Sequence, residues 1–478
     1  LFALMIAFII YPMNKNKKIG KFGLPIIDIV FIVLAIIVNL YYLYHFERIF
    51  YDLGYLSPTK VDIVLGTLTL VLVFEAARRA IGLTFPILGA VALIYAIFGP
   101  YFPGLFQHSG YSWSEMAVGM YIGQLGIFQG SLLGVSASVV AIFILFGALL
   151  LITGGGSMFI QLSIAIAGRM TGGPAKVATI ASGLFGSISG STAANTATTG
   201  VFTIPLMKSN GYRNHFAGGV ESAASCGGQI LPPVMGAAAF VLAEVSQINY
   251  AIVAASAILP AFLFYFGVWT SVHLEAKRLD LKPVEDKDMY RLRNVIVSFD
   301  FLTLIVPFIV LIIMLASGYT PVLSAFWAII ASFSLFMVQS LFRGQLWDGM
   351  RKLVEAAIEG AKTITMIAVI LAVAQIIATV IGRTGLGGKL SGLIATMGES
   401  TLLITLILGM VVTIILGMGV PTVAAYMLSA SVIASAFAAI GLPVLATHMF
   451  ILYYAILSGI TPPVALAAYV ASGIAKAH

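Results

Sequence analysis

GSISGSTAANTATTG, residues Gly186–Gly200, is a run of fifteen almost wholly small and polar residues in a chain otherwise dominated by Leu, Ile, Val, Phe and Ala. Of 478 residues, 60% are hydrophobic and 9% charged, against about 25% charged in an ordinary soluble domain. Mean hydropathy is +1.06. Apolar runs long enough to cross a bilayer recur along the whole length. The expected fold class is therefore an all-α polytopic membrane protein. An outer-membrane barrel would show alternating segments of about ten residues instead.

The net charge of +7 does not point to nucleic acid, because the basic residues cluster in short loops, as membrane orientation requires. A single cysteine, Cys226, excludes an internal disulfide and a cysteine-based metal site. Apolar segments are expected at roughly 1–11, 24–44, 60–75 and 83–102. Lys15, Lys17, Lys18 and Lys21 follow the first, and Arg78 and Arg79 follow the third. The loop after the fourth, GPYFPGLFQHSGYSWSE, has no Lys or Arg, which places it outside and the two basic loops inside. Leu1 lies within an apolar run and the chain stops soon after another, so both ends are expected to continue.

Residues 113–133 read as a connecting or interfacial helix. Gly134–Thr153 reads as a span running inward, and Gly155–Arg169 as an interfacial arm. His215–Glu244 is expected to be a broken helix and Asn249–His273 a full span. The charged loop at 276–293 divides the chain, and its Lys and Arg place it inside. Spans follow at 298–317 and 321–341, then a basic amphipathic arm, Arg343–Lys362, and a span, Ile364–Ile381, running outward.

A shift of 230 residues places the sequence on itself. Ile230–Ala238, ILPPVMGAA, falls on Ile460–Ala468, ITPPVALAA, with six of nine positions identical. The same shift places Thr192 on Thr422 and Ala194 on Ala424, and one further residue places Thr153-Gly154 on Thr384-Gly385. The implied repeats occupy 134–275 and 363–478. The spans that open them run in opposite directions, so the repeats are inverted. Inverted repeats with broken helices are the mark of secondary transporters, whose binding sites lie at the repeat interface near the midplane.

The small polar run then has a place. Pro174–Ser189 and Thr192–Leu206 are each short for a span of about twenty residues. Together they are expected to form a re-entrant helical hairpin, 174–206, with Gly186–Gly200 at its tip. A second hairpin, 401–438, has its tip at Gly417-Met-Gly419-Val-Pro421-Thr422. Irregular backbone at that depth is tolerated only where protein buries it or a cavity is lined by it. Ser187, Ser189, Ser191, Thr192 and Asn195 cap a half-helix or offer oxygens to a ligand. The pairs Pro232-Pro233 and Pro462-Pro463, with Gln229 and Thr461 before them, mark unwound points where new half-helices begin. Such ends expose carbonyls to a cation and N–H groups to an anion.

No Asp or Glu lies between Glu115 and Glu221, in either tip or in either break. A tight Ca²⁺ site normally wants carboxylates, so neutral oxygens favour Na⁺. The expected ion-binding set is Ser187, Ser189, Gly190, Ser191, Asn195, Gln229, Pro232, Gly417, Gly419, Pro421, Thr422, Thr461 and Pro462. Thr192, Glu221, Pro233 and Pro463 are candidates for substrate contact or coupling. The competing explanation is that the small residues serve close helix packing alone. Glu221 is a functional candidate because an acid within a membrane is costly, though a position at the interface beside Lys208 or Arg213 accounts for it equally well. Glu244 is expected near the outer surface. Arg169, Lys176, Lys208 and Arg213 read as interfacial charges, and His448 and Gln375 as packing hydrogen-bonders. No Walker motif, HExxH or paired metal-ligand spacing is present, so no enzyme site and no cofactor is expected beyond a coupling ion, Na⁺ or H⁺.

GSISGSTAANTATTGVFTIPLMKSNGY followed by ESAASCGGQILPPVMGAAAFVLAE resembles the large membrane subunit of tripartite ATP-independent periplasmic (TRAP) transporters. With four leading helices attached, the chain is similar to the fused 4TM/12TM permeases that go with TAXI-type binding proteins. The resemblance implies import of organic acids across a bacterial or archaeal cytoplasmic (inner) membrane, driven by an ion gradient, commonly Na⁺. It implies a soluble periplasmic TAXI-type substrate-binding protein as partner and an elevator-type motion. Residues 1–112 would be a small-subunit-like four-helix scaffold, and 294–362 would brace the moving hairpins and breaks. Two alternatives stay open: a stand-alone carboxylate/cation symporter of related fold, and a proton-coupled TAXI-type importer using Glu221.

Overall fold

The computed structural model describes residues 2–13, 25–51, 58–281, 290–389, 392 and 402–477. Among them the regular structure is helical. In chain order the helices are α1 (Phe2–Ile10), α2 (Ile26–Tyr44), α3 (Phe46–Tyr51), α4 (Lys60–Ile81), α5 (Thr84–Ile97), α6 (Trp113–Tyr121), α7 (Ser131–Val135), α8 (Ala141–Leu150) and α9 (Gly156–Ala167). Next come α10 (Gly173–Ser189), α11 (Thr192–Ser209), α12 (Asn214–Gly228), α13 (Ala237–Ser246), α14 (Tyr250–Arg278), α15 (Leu292–Ile296), α16 (Phe299–Ala316), α17 (Pro321–Phe342) and α18 (Leu346–Arg383). The last are α19 (Leu402–Gly417), α20 (Thr422–Ala439), α21 (Val444–Leu457) and α22 (Leu466–Ala475). Seven of the described helical runs are long and apolar enough to cross a membrane, which fits a polytopic membrane protein.

The chain divides into two compact units. The first comprises Leu1–Ser138, Ala361–Val412 and Val423–Thr447; the second comprises Val139–Gly360, Thr413–Thr422 and His448–His478.

In the first unit, α4 begins at a capping box: Thr59 accepts from the Asp62 amide and Asp62 accepts from the Thr59 amide. Gly66 brings α4 against α6 so closely that a Cβ there would lie 2.4 Å from the Ala117 carbonyl oxygen. Tyr121 donates to the Val38 carbonyl at 2.7 Å. Gln375 donates to the Leu125 carbonyl at 2.9 Å, a packing hydrogen bond of the kind expected of it. Arg79 departs from the expectation of a loop charge. Its side chain is 4% exposed and pairs with Asp28 at 2.5 Å and Glu75 at 2.7 Å. Its guanidinium also lies 5.1 Å from the ring centroids of Phe8 and Phe31. Buried ions persist when paired and hydrogen-bonded, and here the pairing joins α2 to α4.

In the second unit, α10 starts with Pro174 in its first turn, where the missing N–H costs nothing. It ends at Gly190, whose φ of 65° gives the left-handed cap that glycine adopts freely. Ser191 then caps α11 by accepting from the Ala194 amide at 3.3 Å. The core of this unit is built from small residues, Ala175, Ala178, Ala217, Ala471 and Ala475 among them, and small residues let helix backbones approach closely.

Three expectations are corrected. The arm Arg343–Lys362 and the span Ile364–Ile381 belong to one continuous helix, α18, of 38 residues, because no proline interrupts it. The arm at Gly155–Arg169 continues the helical run that opens the first repeat, Leu132–Ala167. That run bends through π turns at Ser136–Val140 and Leu151–Gly155, with Gly154 at a φ of 110°. The expected connecting helix at 113–133 is interrupted: it is helical to Tyr121, irregular over 122–130, and helical again from Ser131. Lys15, Lys17, Lys18, Lys21 and residues 282–289 of the charged loop lie outside the described residues.

The paired Arg79 and its exposed neighbour Arg78 differ sharply in what their partners contribute. Asp28→Ala, which breaks the buried pair, is expected to cost about 3 kcal/mol. Arg78→Ala removes a side chain that is 41% exposed and is expected to stay within about 0.5 kcal/mol of the parent. Thermal unfolding of the two variants in the same detergent compares them.

Candidate ion-binding and coupling site

The second unit contains both expected tips and both Pro-Pro breaks. The helices around them recur at a constant interval: α11 (192–209) and α20 (422–439) are offset by 230 residues at both ends. Helices α12 and α21 begin 230 residues apart. Both Pro-Pro peptide bonds, Pro232-Pro233 and Pro462-Pro463, are cis.

Each tip lies against the break of its own repeat. A Cβ on Gly190 would sit 3.1 Å from the Ala237 amide nitrogen and 3.2 Å from Gly236 Cα. A Cβ on Gly236 would meet Gly190 Cα at 3.0 Å and Gln229 Cγ at 3.6 Å. In the second repeat, a Cβ on Gly419, whose φ is 75°, would meet Val464 at 3.3 Å. Ser458 Oγ ties that break to its tip by donating to the Gly417 carbonyl at 3.0 Å. The two repeats also touch, since a Cβ on Gly459 would lie 3.1 Å from Thr192 Oγ1.

The expected ligands divide by what their polar atoms already do. Ser187 Oγ donates to the Leu184 carbonyl at 2.8 Å, and Thr461 Oγ1 donates to the Leu457 carbonyl at 2.8 Å. Ser191 Oγ accepts from the Ala194 amide as the cap of α11. Asn195 Nδ2 donates to the Ser182 carbonyl at 2.8 Å, which makes it a cross-brace between α10 and α11. Ser189 Oγ and Gln229 Nε2 are different. Both atoms are buried and neither makes a hydrogen bond. Thr196 Oγ1, one turn into α11, shares that condition. Buried polar atoms are nearly always satisfied, so these three are the atoms in the first tip and break that call for a partner. Gly190, Pro232 and Pro233 contribute backbone alone, as do Gly417, Gly419, Pro421, Pro462 and Pro463. Thr422 begins α20.

Glu221 is fully buried and stands among hydroxyls from three helices. Ser182 of α10 donates to its Oε1 at 2.6 Å. Thr199 of α11 donates to the same oxygen, and Thr203 donates to Oε2 at 2.5 Å. Ser225, one turn along α12, donates to Oε1 at 3.3 Å. Lys208 does not pair with Glu221 and donates to the Ala475 carbonyl at 2.8 Å instead. Glu244 is exposed. Sequence reading missed Ser182, Thr196, Thr199, Thr203, Ser225 and Ser458. A signal existed for two pairs, since Thr199 and Thr203, and likewise Glu221 and Ser225, are four residues apart and share a helix face.

Glycine sets the distance at which this cage closes. A Cβ on Gly228 would lie 2.5 Å from Gly186 Cα, and one on Gly186 would lie 2.6 Å from Asn195 Nδ2. Helices α10 and α12 thus meet backbone to backbone. That brings Ser182 of α10 within hydrogen-bond reach of Glu221 on α12.

A model of the family described as "Tripartite ATP-independent periplasmic transporter, DctM component" matches residues 68–478. The chain is similar to the 2,3-diketo-L-gulonate TRAP transporter large permease protein of Escherichia coli, at 26% identity over 351 residues, which is 71% of this chain and 79% of that protein. It is also similar to the sialic acid TRAP transporter large permease protein of Vibrio cholerae, at 22% identity over 338 residues, covering 70% of this chain and 76% of that protein.

Two glycines of α12 are expected to respond oppositely to the same substitution. Gly228→Ala forces backbone apart and should cost about 1–3 kcal/mol. Gly219→Ala meets nothing within 4 Å and should stabilise the helix by about 0.5–1 kcal/mol. Thermal unfolding of both variants in one detergent checks the signs.

Proposed function

The chain belongs to the DctM-component family of tripartite ATP-independent periplasmic transporters, and from that premise we propose that it imports organic acids by Na⁺ symport with a periplasmic substrate-binding protein. Membership makes it a multi-pass inner-membrane transporter, not an enzyme. Carboxylate cargo is supported by the printed substrates of two relatives, 2,3-diketo-L-gulonate and sialic acid. We assign the chain to the fused, TAXI-type branch on its leading helices, of which α1, α2 and α3 wholly precede the family-matched region that begins at residue 68. Residues 1–112 then act as the scaffold, with 294–362 as the brace. The hairpins 174–206 and 401–438, with both breaks, act as the body that carries cargo in an elevator-type motion.

The observation that carries the Na⁺ reading is the apposition of tip and break in the first repeat. Ser189 Oγ and Gln229 Nε2 are buried there without partners, and no carboxylate lies in the tip or the break. Helix ends and unwound carbonyls at such breaks are the means by which secondary transporters hold Na⁺. The Gln229 amide offers its carbonyl oxygen after one rotation of the group. A second reading, proton coupling, is favoured by Glu221, a buried carboxyl whose hydrogen bonds come from neutral hydroxyls alone.

Uptake of labelled organic acids into proteoliposomes separates the readings. With the cognate binding protein and an inward Na⁺ gradient, the parent is expected to accumulate substrate. Ser189→Ala and Gln229→Ala are expected to raise the Na⁺ concentration for half-maximal uptake about tenfold, as loss of a charge-assisted contact implies. Uptake driven by a proton gradient alone and abolished in Glu221→Gln would replace the Na⁺ reading with the proton one. Uptake without binding protein would mean a stand-alone symporter.

A further inference from the structure

Lys176 reads from sequence as an interfacial charge, yet it is 4% exposed. It lies in the first turn of α10 and reaches across to α14. Its Nζ is 4.7 Å from the Trp269 ring centroid and 3.3 Å from His273 Nδ1, to which it donates. Its partners are an aromatic face and a ring nitrogen, and neither is an anion. A buried ammonium is costly without an anion, and none of the described carboxylates pairs with it.

Beside this cation an apolar cleft opens between α10 and α14. Its volume is about 410 Å³, within the roughly 300–1,000 Å³ typical of ligand pockets. Ile180 and Leu184 line one wall and Phe262 and Trp269 the other, and Leu231 and Pro232 close the far end at the first break. The Tyr265 hydroxyl in the wall already donates to the Ala224 carbonyl at 2.8 Å, so it offers no unmet donor. The outer face of α14 carries Ile258, Leu259, Phe262, Leu263 and Phe266, all at least 58% exposed. A row of this kind on a helix long enough to span faces lipid.

The two features are collinear. Trp269 and His273 are one turn apart, and the basic last turn of α14, Lys277 and Arg278, follows them. This is the end of α14 that meets lipid headgroups. From Trp269 to Ile258 the cleft follows α14 for eleven residues, about 16 Å at 1.5 Å per residue. That is about half of a hydrocarbon core of roughly 30 Å, the depth of one leaflet.

We propose that this cleft holds an acyl chain of an anionic glycerophospholipid whose phosphate pairs with Lys176. Charge and length together select this occupant: the cation lies at headgroup level and the apolar slot extends one leaflet inward. The chain's end then rests on Leu231 and Pro232, at the break that adjoins the first tip.

The test uses the full chain with Trp269 as its only tryptophan (W113F, W327F, W347F), reconstituted in phosphatidylcholine vesicles. Trp269 fluorescence is titrated with phosphatidylglycerol brominated on its acyl chain, and separately with brominated phosphatidylcholine. Half-maximal quenching is expected at about fivefold lower mole fraction for the anionic lipid, the preference one lysine near the headgroup provides. Lys176→Gln should bring the two curves together, and Lys176→Arg should keep them apart. Equal curves for the two lipids in the Trp269-only protein overturn the proposal without reference to any Lys176 variant. An undiminished preference in folded K176Q overturns it as well. Quenching by both lipids alike identifies a lipid-facing groove that takes acyl chains without headgroup recognition.

Discussion

The contact between Gly186 and Gly228 is the constraint on which the second unit depends. Without side chains at these positions, α10 and α12 approach until a Cβ on Gly228 would be 2.5 Å from Gly186 Cα. Membrane helices gain little from the hydrophobic effect when they associate, so close backbone packing and interhelical hydrogen bonds must do that work. Both appear here in one place. The approach lets Asn195 brace α11 to α10 and lets three helices surround Glu221 with hydroxyls. It also fixes the end of α10, and with it the position of Gly190 against Gly236.

The hairpin helices were legible in the sequence because their boundaries are set by residues with strong local preferences. Pro174, Gly190 and the capping Ser191 place α10 and α11 within a few residues, and the 230-residue interval carries the same boundaries to α20. Other features were hidden for identifiable reasons. The charged first half of α18 resembles a surface arm, and nothing in its composition reveals that the helix continues unbroken into an apolar half. Arg79 beside Arg78 looks like a loop charge, and its burial depends on Asp28, 51 residues away. The hydroxyls around Glu221 come from residues 182 to 225 on three helices. Only the folded arrangement unites them.

The candidate ion site shows the same division. Sequence reading selected the tips and breaks, and it selected Ser189 and Gln229 among them. It could not separate these from Ser187, Ser191, Asn195 and Thr461, which are equally polar and equally near. The difference lies in hydrogen bonds that the second group makes to its own backbone or to a neighbouring helix. Small polar residues in a membrane serve both packing and ligation, and the folded arrangement shows which of them already hold a hydrogen bond within the protein.

The neutral surroundings of Glu221 have an electrical consequence. Every hydrogen bond it accepts comes from a hydroxyl, so an ionised Glu221 gives its immediate surroundings a net negative charge and a protonated one gives none. A charge displaced across the whole membrane field exchanges about 2.3 kcal/mol with it per 100 mV. A neutral group exchanges nothing. If Glu221 moves through the field, the voltage dependence of the conformational cycle therefore reports its protonation.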